Sequence, residues 1–136
     1  MQAQVDLANF LIRMGADIEG AGGGKIRIRG VEALGSTRYR VRPDRIETGT
    51  YMIAGAITAG DIQIEACVPE HVDALTRKLE QCGVKIETGK ATIRVKGRKR
   101  IESVDMVTAP YPGFATDMQA QFMALMTVAR GNSIIS

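Results

Sequence analysis

Two segments of the sequence place polar side chains where a strand-like run gives way to a helix. The first is Arg42–Thr50 and the second is Thr108–Gln121. A helix N-terminus presents free backbone N–H groups and a partial positive charge, and both favour anions. A carboxylate held there can accept a hydrogen bond from a substrate hydroxyl and remove its proton as a new bond forms. Asp117 is the candidate for that chemistry in the second segment.

Helix capping offers a structural explanation for the same residues. Asp44 and Glu47 have the spacing of a capping box, and Thr116 and Gln119 have it too. An acidic residue in the first turn also stabilises a helix without any further role. Capping explains Asp44 fully, whereas for Asp117 the pattern leaves a structural and a functional role open.

The elements that must position these residues form a repeat. The run Phe10–Glu19 is similar to Lys78–Glu87, and each is followed by a Gly-bearing turn and a basic strand, Ile26–Gly30 or Ile93–Gly97. The two copies start at residues 10 and 78, and a period of this length corresponds to a supersecondary unit. The sequence therefore predicts an α/β fold that is built from repeated units.

Hydrophobic periodicity and turn residues predict the elements of each unit. The middle unit is predicted to contain a strand at Tyr39–Arg42, a helix at Arg45–Ala59 closed by Gly60, a strand at Ile62–Ala66, a helix at Glu70–Gln81 and a hairpin over Val84–Gly97. A helix ending at Gly15 and a hairpin over Ala16–Gly30 are predicted before it. A strand at Val104–Thr108, a helix at Asp117–Arg130 and a strand at Ser133–Ile135 are predicted after it.

This pattern gives one complete βαβαββ unit, about residues 37–97, flanked by two half units. A half unit leaves apolar helix and sheet faces without a covering neighbour. Residues 103–136 and 1–30 are therefore expected to supply the parts of a second unit, which pair within one chain or between the two chains of a homodimer.

Composition limits the classes of partner. The 136 residues are 45% hydrophobic, with no membrane span and no secretion signal, so a cytoplasmic protein without a membrane partner is expected. The net charge is only +3, and the basic cluster Lys96–Arg100 has no aromatic neighbour for base stacking. A solvated turn is favoured over a nucleic-acid surface.

The other residues that could carry chemistry receive no role. Cys67 and Cys82 lack the spacing of a metal site or a redox pair and are expected to be small buried side chains. The glycine run Gly20–Gly24 lacks the pattern of a phosphate-binding loop and is expected to be a hairpin turn. His71 is expected to be exposed in a first helical turn. Neither a metal nor a cofactor is predicted.

Three segments carry a resemblance to a known family. Val5–Leu11, Tyr39–Thr50 and Thr108–Phe122 closely resemble the UDP-N-acetylglucosamine 1-carboxyvinyltransferases, the enolpyruvyl transferases that open peptidoglycan synthesis. The resemblance covers nearly the whole chain. It implies the inverse α/β fold of that family, with residues 1–41 as the end of one domain and 42–136 as the first part of the second.

The resemblance also implies a reaction and a site. The family transfers the enolpyruvyl group of phosphoenolpyruvate to the 3′-hydroxyl of UDP-N-acetylglucosamine by addition and then elimination of phosphate. The aspartate that matches Asp117 contacts this hydroxyl and is proposed to take its proton. Thr116 and Tyr111 are weaker candidates for substrate binding in the same pocket.

Several parts of the family's active site have no match in this sequence. They are the N-terminal Lys-Asn pair, the mobile loop with its reactive cysteine, the loop that binds uridine and the arginines that bind phosphoenolpyruvate. The chain is therefore expected to be a central fragment that is inactive alone. A fragment of the shikimate-pathway enolpyruvyl transferase and a stand-alone binding or assembly module without chemistry are the alternatives.

Overall fold

The chain folds as two units that meet in sequence after Arg42. The computed structural model describes residues 2–136, with side chains from Gln4 onward. The first unit begins with helix α1 (Gln2–Arg13), followed by strands β1 (Asp17–Glu19) and β2 (Arg27–Arg29), which pair in antiparallel fashion. Gly15 adopts φ +104° just after α1, a backbone conformation that residues with a β-carbon rarely adopt. The predicted helix end and hairpin are confirmed.

The predicted strand at Tyr39–Arg42 is wrong. Among the described residues, this run pairs with no neighbouring strand. Side chains fix it instead, because the Tyr39 hydroxyl donates to the Asp6 carboxylate (2.6 Å) and the Tyr39 ring meets the Phe10 ring edge-on at 5.4 Å. Tyr39 therefore packs on α1, whereas Val41 is 76% exposed, and the alternation of polar and apolar residues does not reflect a backbone ladder.

The second unit begins with helix α2 (Arg45–Ile57). The Asp44 side chain accepts a hydrogen bond from the Ile46 N–H at 2.7 Å, as expected of a capping residue. The helix ends two residues before the predicted end, in a Schellman motif. The left-handed residue of that motif is Ala59 (φ +53°), and the Gly60 N–H reaches back to the Gly55 carbonyl.

A three-stranded antiparallel sheet lies beside α2. Its strands are β3 (Asp61–Glu65), β4 (Lys85–Thr88) and β5 (Thr92–Lys96), in the order β3-β5-β4. The predicted strand β3 and the predicted hairpin are confirmed. The second helix of the unit, α3 (Asp73–Gln81), starts later than predicted, because Pro69–Val72 form a separate 3-10 turn before it.

The last third of the chain is less regular than predicted. The runs predicted as strands at Val104–Thr108 and Ser133–Ile135 form only isolated parallel bridges, such as Met106 with Ile135. A lone parallel pair without further strands is a weak ladder. The last helix, α4 (Gln119–Met126), is also shorter than predicted. Just after its end, the N–H groups of Val128 and Ala129 form tighter i to i−3 hydrogen bonds. The Arg130 N–H donates to the Ile101 carbonyl instead of continuing the helix.

One core joins this last segment to the sheet. The fully buried side chains come from α2, α3, β5 and α4 and include Met52, Leu79, Ile93, Phe122 and Leu125. Burial of a large apolar side chain is worth about 1.5–3 kcal/mol. Packing therefore holds the segment before α4 against the start of α2. Neither repeat spacing nor capping predicted this contact.

Candidate functional site

The turn that precedes α4 is held closed by its own backbone. The Ala109 N–H donates to the Phe114 carbonyl at 2.9 Å, and the Gly113 N–H donates to the Pro110 carbonyl at 2.8 Å. Phe114 is 5% exposed and packs edge-on against Phe122 of α4, with ring centroids 5.3 Å apart. The turn and the helix are therefore fixed relative to each other, which sets the position of the residues between them.

An open pocket of about 450 Å³ lies between this turn and the start of α2. Its lining is formed by Arg45, Thr108, Ala109, Pro110, Tyr111, Ala115, Thr116 and Asp117. Tyr111, Thr116 and Asp117, the three residues singled out in the sequence, thus lie on one surface. Their roles toward a substrate stay predictions.

The capping explanation for Thr116 is wrong. Ala115 precedes the 3-10 turn Thr116–Met118, Met118 precedes α4, and neither position has a side-chain capping bond. Within the described part of the chain, the exposed carboxylate of Asp117 forms neither a hydrogen bond nor an ion pair. It is therefore available to accept a hydrogen bond from a hydroxyl in the pocket.

Arg45 is the pocket residue that the sequence reasoning missed. It is half-buried at the first position of α2, and its guanidinium carbon lies 5.8 Å from the centroid of the Tyr111 ring. This is the distance of a cation–π contact. The available signal was a basic residue directly after the capping residue Asp44, a place where helix stability favours acidic side chains.

Two buried thiols lie away from this pocket. Burial raises the pKa of the Cys82 thiol to about 11, and it also raises the pKa of the Cys67 thiol. Both side chains are buried, as predicted. Thiols held protonated in this way are poor nucleophiles. Neither thiol is among the groups that line the pocket.

The remaining candidates add no second site. His71 is half-buried in the 3-10 turn Pro69–Val72 rather than exposed as predicted, and it lines a small cavity of about 20 Å³ beside the pocket. Among the described residues, no three His, Cys, Asp or Glu side chains are grouped so that they could hold a metal ion. Within residues 2–136, none of the helices has the length and apolar character to cross a membrane.

Comparisons with known proteins agree with this architecture. A UDP-N-acetylglucosamine 1-carboxyvinyltransferase of Trichlorobacter lovleyi is 60% identical over 131 residues, which cover 96% of this chain and 31% of the relative. The protein of the same name from Solibacter usitatus is 56% identical over 132 residues, 96% of this chain and 32% of the relative. The chain thus spans about a third of the length of these relatives, and the resemblance stated from the sequence is confirmed.

A solved structure gives the fold. The enolpyruvyl transferase NikO from Streptomyces tendae superposes with a TM-score of 0.68 over 96% of this chain and 33% of its own, at 24% identity. The predicted α/β fold of the enolpyruvyl transferases is therefore confirmed. The sequence profile of EPSP synthase (3-phosphoshikimate 1-carboxyvinyltransferase) matches residues 3–136. The chain belongs to the EPSP synthase family of enolpyruvyl transferases.

Proposed function

We propose that this chain is a segment of an enzyme that transfers the enolpyruvyl group of phosphoenolpyruvate to the 3′-hydroxyl of UDP-N-acetylglucosamine. Asp117 accepts a hydrogen bond from that hydroxyl and takes its proton as the C–O bond forms at C2 of phosphoenolpyruvate, while C3 gains a proton. Phosphate is then eliminated from C2 as C3 loses a proton, which restores the double bond. Thr116 and Tyr111 bind the substrate beside it. A carboxylate within hydrogen-bond reach of an alcohol can both orient it and act as its general base.

One observation carries the proposal. The pocket groups Asp117 with Thr116 and Tyr111, and the Asp117 carboxylate makes no bond with any described residue that would occupy its oxygens. The 3-10 turn also takes Thr116 out of a capping role, so capping no longer accounts for its hydroxyl. A small number of polar groups that converge on a concave surface is what orients a ligand in a binding pocket.

The identity of the acceptor, the substrate that receives the enolpyruvyl group, is inferred from the names of the relatives. Those at 52–60% identity over nearly the whole chain carry the name UDP-N-acetylglucosamine 1-carboxyvinyltransferase. The family profile is named for the enzyme of 3-phosphoshikimate, which makes shikimate 3-phosphate the second candidate acceptor. Peptidoglycan synthesis, and with it cell-wall growth and division, follows from the first acceptor.

The chain alone is proposed to be inactive. Phosphate clamping is often the largest part of such catalysis, and the arginines and loops that supply it in the family have no match in this sequence. Purified chain given phosphoenolpyruvate and UDP-N-acetylglucosamine is therefore expected to release no phosphate. The homodimer formed through half units and the cytoplasmic location stay predictions.

Binding of the acceptor tests the proposal. We expect UDP-N-acetylglucosamine to shift the backbone amide NMR signals of residues 111–118, and shikimate 3-phosphate to shift them less. Asp117→Ala should weaken the binding of UDP-N-acetylglucosamine. Asp73→Ala is the matched control, because Asp73 is an exposed acid in the first turn of α3, outside the pocket. Equal binding by the wild-type chain and Asp117→Ala would refute the role of Asp117.

A further inference from the structure

Arg45 occupies a position that helix stability does not explain. As the first residue of α2, its positive charge lies at the helix end where the macrodipole disfavours cations. Among the described residues, no carboxylate lies within ion-pair distance of its guanidinium. Its acidic neighbour Asp44 is engaged with the Ile46 N–H, and Glu47 is exposed. A half-buried cation without a counter-ion is available to bind an anion.

The Tyr111 ring lies beside this cation in the pocket. The guanidinium carbon lies 5.8 Å from the centroid of the Tyr111 ring, and both residues line the same 450 Å³ space as Asp117. A guanidinium that stacks on an aromatic ring keeps the N–H groups at its edge free to donate. These donors match the geometry of a phosphate or carboxylate group, which an arginine can bind through two parallel hydrogen bonds.

We propose that Arg45 is a substrate-binding residue, which takes an anionic phosphate or carboxylate group of the ligand while Asp117 takes a hydroxyl. The inference rests on the proposed function for the identity of the ligand. The inference adds a cation, Arg45, to the proposed site, on the side of the pocket that the start of α2 forms. Tyr111 then has a defined task, which is to hold the guanidinium in place. The pocket thereby selects ligands that carry both an anionic group and a free hydroxyl.

Two substrates could supply this anion. One is the diphosphate of the nucleotide sugar, and the other is the phosphate or carboxylate of phosphoenolpyruvate. Separate titrations with UDP, phosphoenolpyruvate and inorganic phosphate distinguish the two sources. Sodium chloride at equal ionic strength is the control for general screening of the guanidinium.

The test follows the Nε–H signal of Arg45 and the amides of residues 44–47 and 111–117 by NMR in the full 136-residue chain. UDP or phosphoenolpyruvate should shift these signals, and Arg45→Gln should weaken that binding by about tenfold or more, the usual effect of losing one charge-assisted hydrogen bond. Arg45→Lys should bind with intermediate affinity, because it keeps the charge and loses the paired donors. Arg98→Gln, in the exposed basic turn, should bind like the wild type.

The possible outcomes separate this inference from the proposed function. If Arg45→Gln binds every anion as tightly as the wild type, or if chloride produces the same shifts, the inference is overturned. A wild-type chain that binds none of the anions overturns it too. If the anions bind through Arg45 while UDP-N-acetylglucosamine binds equally to wild type and Asp117→Ala, the proposed function fails and the inference about Arg45 stands. A native pattern of amide signals in each variant controls for unfolding.

Discussion

The ring of Phe114 meets the ring of Phe122 edge-on, with centroids 5.3 Å apart and planes inclined at 68°. Phe114 belongs to the turn that lines the pocket, Phe122 belongs to α4, and Asp117 lies between them in sequence. The aromatic pair therefore anchors both ends of the segment that presents the carboxylate. Rigid support of this kind is what a positioned hydrogen-bond acceptor needs.

Removing this anchor should destabilise the second unit. Phe122 is completely buried, and Phe122→Ala is expected to lower the free energy of unfolding by about 3–5 kcal/mol through lost burial and the cavity left behind. Urea unfolding followed by circular dichroism measures the change. The neighbouring Met123 is 49% exposed, and Met123→Ala should change stability by no more than about 1 kcal/mol. Equal losses for the two variants would show that the pair does not anchor the segment.

A close contact between a strand end and a helix makes a second prediction. A β-carbon at Gly97, just after β5, would overlap the Gly55 carbonyl oxygen and lie 2.7 Å from the α-carbon of Ala59. Gly97→Ala should therefore cost about 1–3 kcal/mol of unfolding free energy, since the backbones must separate. Gly30→Ala is the control, because no heavy atom lies within 4 Å of its added carbon. A thermal unfolding midpoint unchanged by Gly97→Ala would contradict the packing.

The Asp61–Arg94 pair predicts a pH dependence. Two hydrogen bonds of 2.8 Å from the Arg94 side chain hold the pKa of the Asp61 carboxyl below its usual range. Because the folded-state pKa is lowered, the stabilisation is present above about pH 4 and is lost as the pH falls through the lowered pKa. The urea midpoint should therefore drop more between pH 5 and pH 3 in the wild type than in Asp61→Asn.

Screening provides the control for this prediction. The pair is exposed to solvent, so 0.5 M sodium chloride should reduce the difference between wild type and Asp61→Asn. The same pH dependence in both proteins at low salt would show that the pair does not contribute to the stability of the sheet.

The buried thiols predict a reactivity test. Since burial raises the pKa of Cys82 to about 11, hardly any thiolate exists at pH 8 in the folded chain. Ellman's reagent should label neither Cys82 nor Cys67 in the folded protein and should label both in 6 M guanidinium chloride. Cys82→Ser and Cys67→Ser assign each signal. Rapid labelling of Cys82 in the folded chain would mean that the α3 side of the core opens readily.

The sequence predicted the parts of this fold that depend on local signals. The Asp44 cap, the turn at Gly15 and both hairpins follow from residue types at fixed spacing, and each was found. The run Tyr39–Arg42 was predicted wrongly because a short alternation does not require a partner strand: Tyr39 packs on α1 and Val41 is exposed. The strands after Ser103 were predicted wrongly because a strand forms only where a neighbouring strand pairs with it. The residues of the segment itself do not show whether that neighbour is present.

The candidate site likewise contains residues that local signals predict and one that only the packing reveals. Asp117 was predicted from its place before a helix, whereas Thr116 and Tyr111 were predicted from the family resemblance, and all three roles stay predictions. Arg45 was missed because it is distant from them in sequence, and only the packing of α2 against the last segment makes it a neighbour of Tyr111. The one local signal was a positive charge at a helix start. It indicates a binding residue only once the structure shows that no carboxylate pairs with it.

The most direct test of the central claim is catalysis by a complete enzyme that contains this chain. In a chimera, the 136 residues replace the matching third of the Trichlorobacter lovleyi relative, and phosphate release from phosphoenolpyruvate is measured with UDP-N-acetylglucosamine. We predict activity in the chimera, a loss of roughly 10²–10⁴-fold in kcat for Asp117→Asn, and little change for Asp73→Asn. An active chimera whose rate is unchanged by Asp117→Asn would contradict the account.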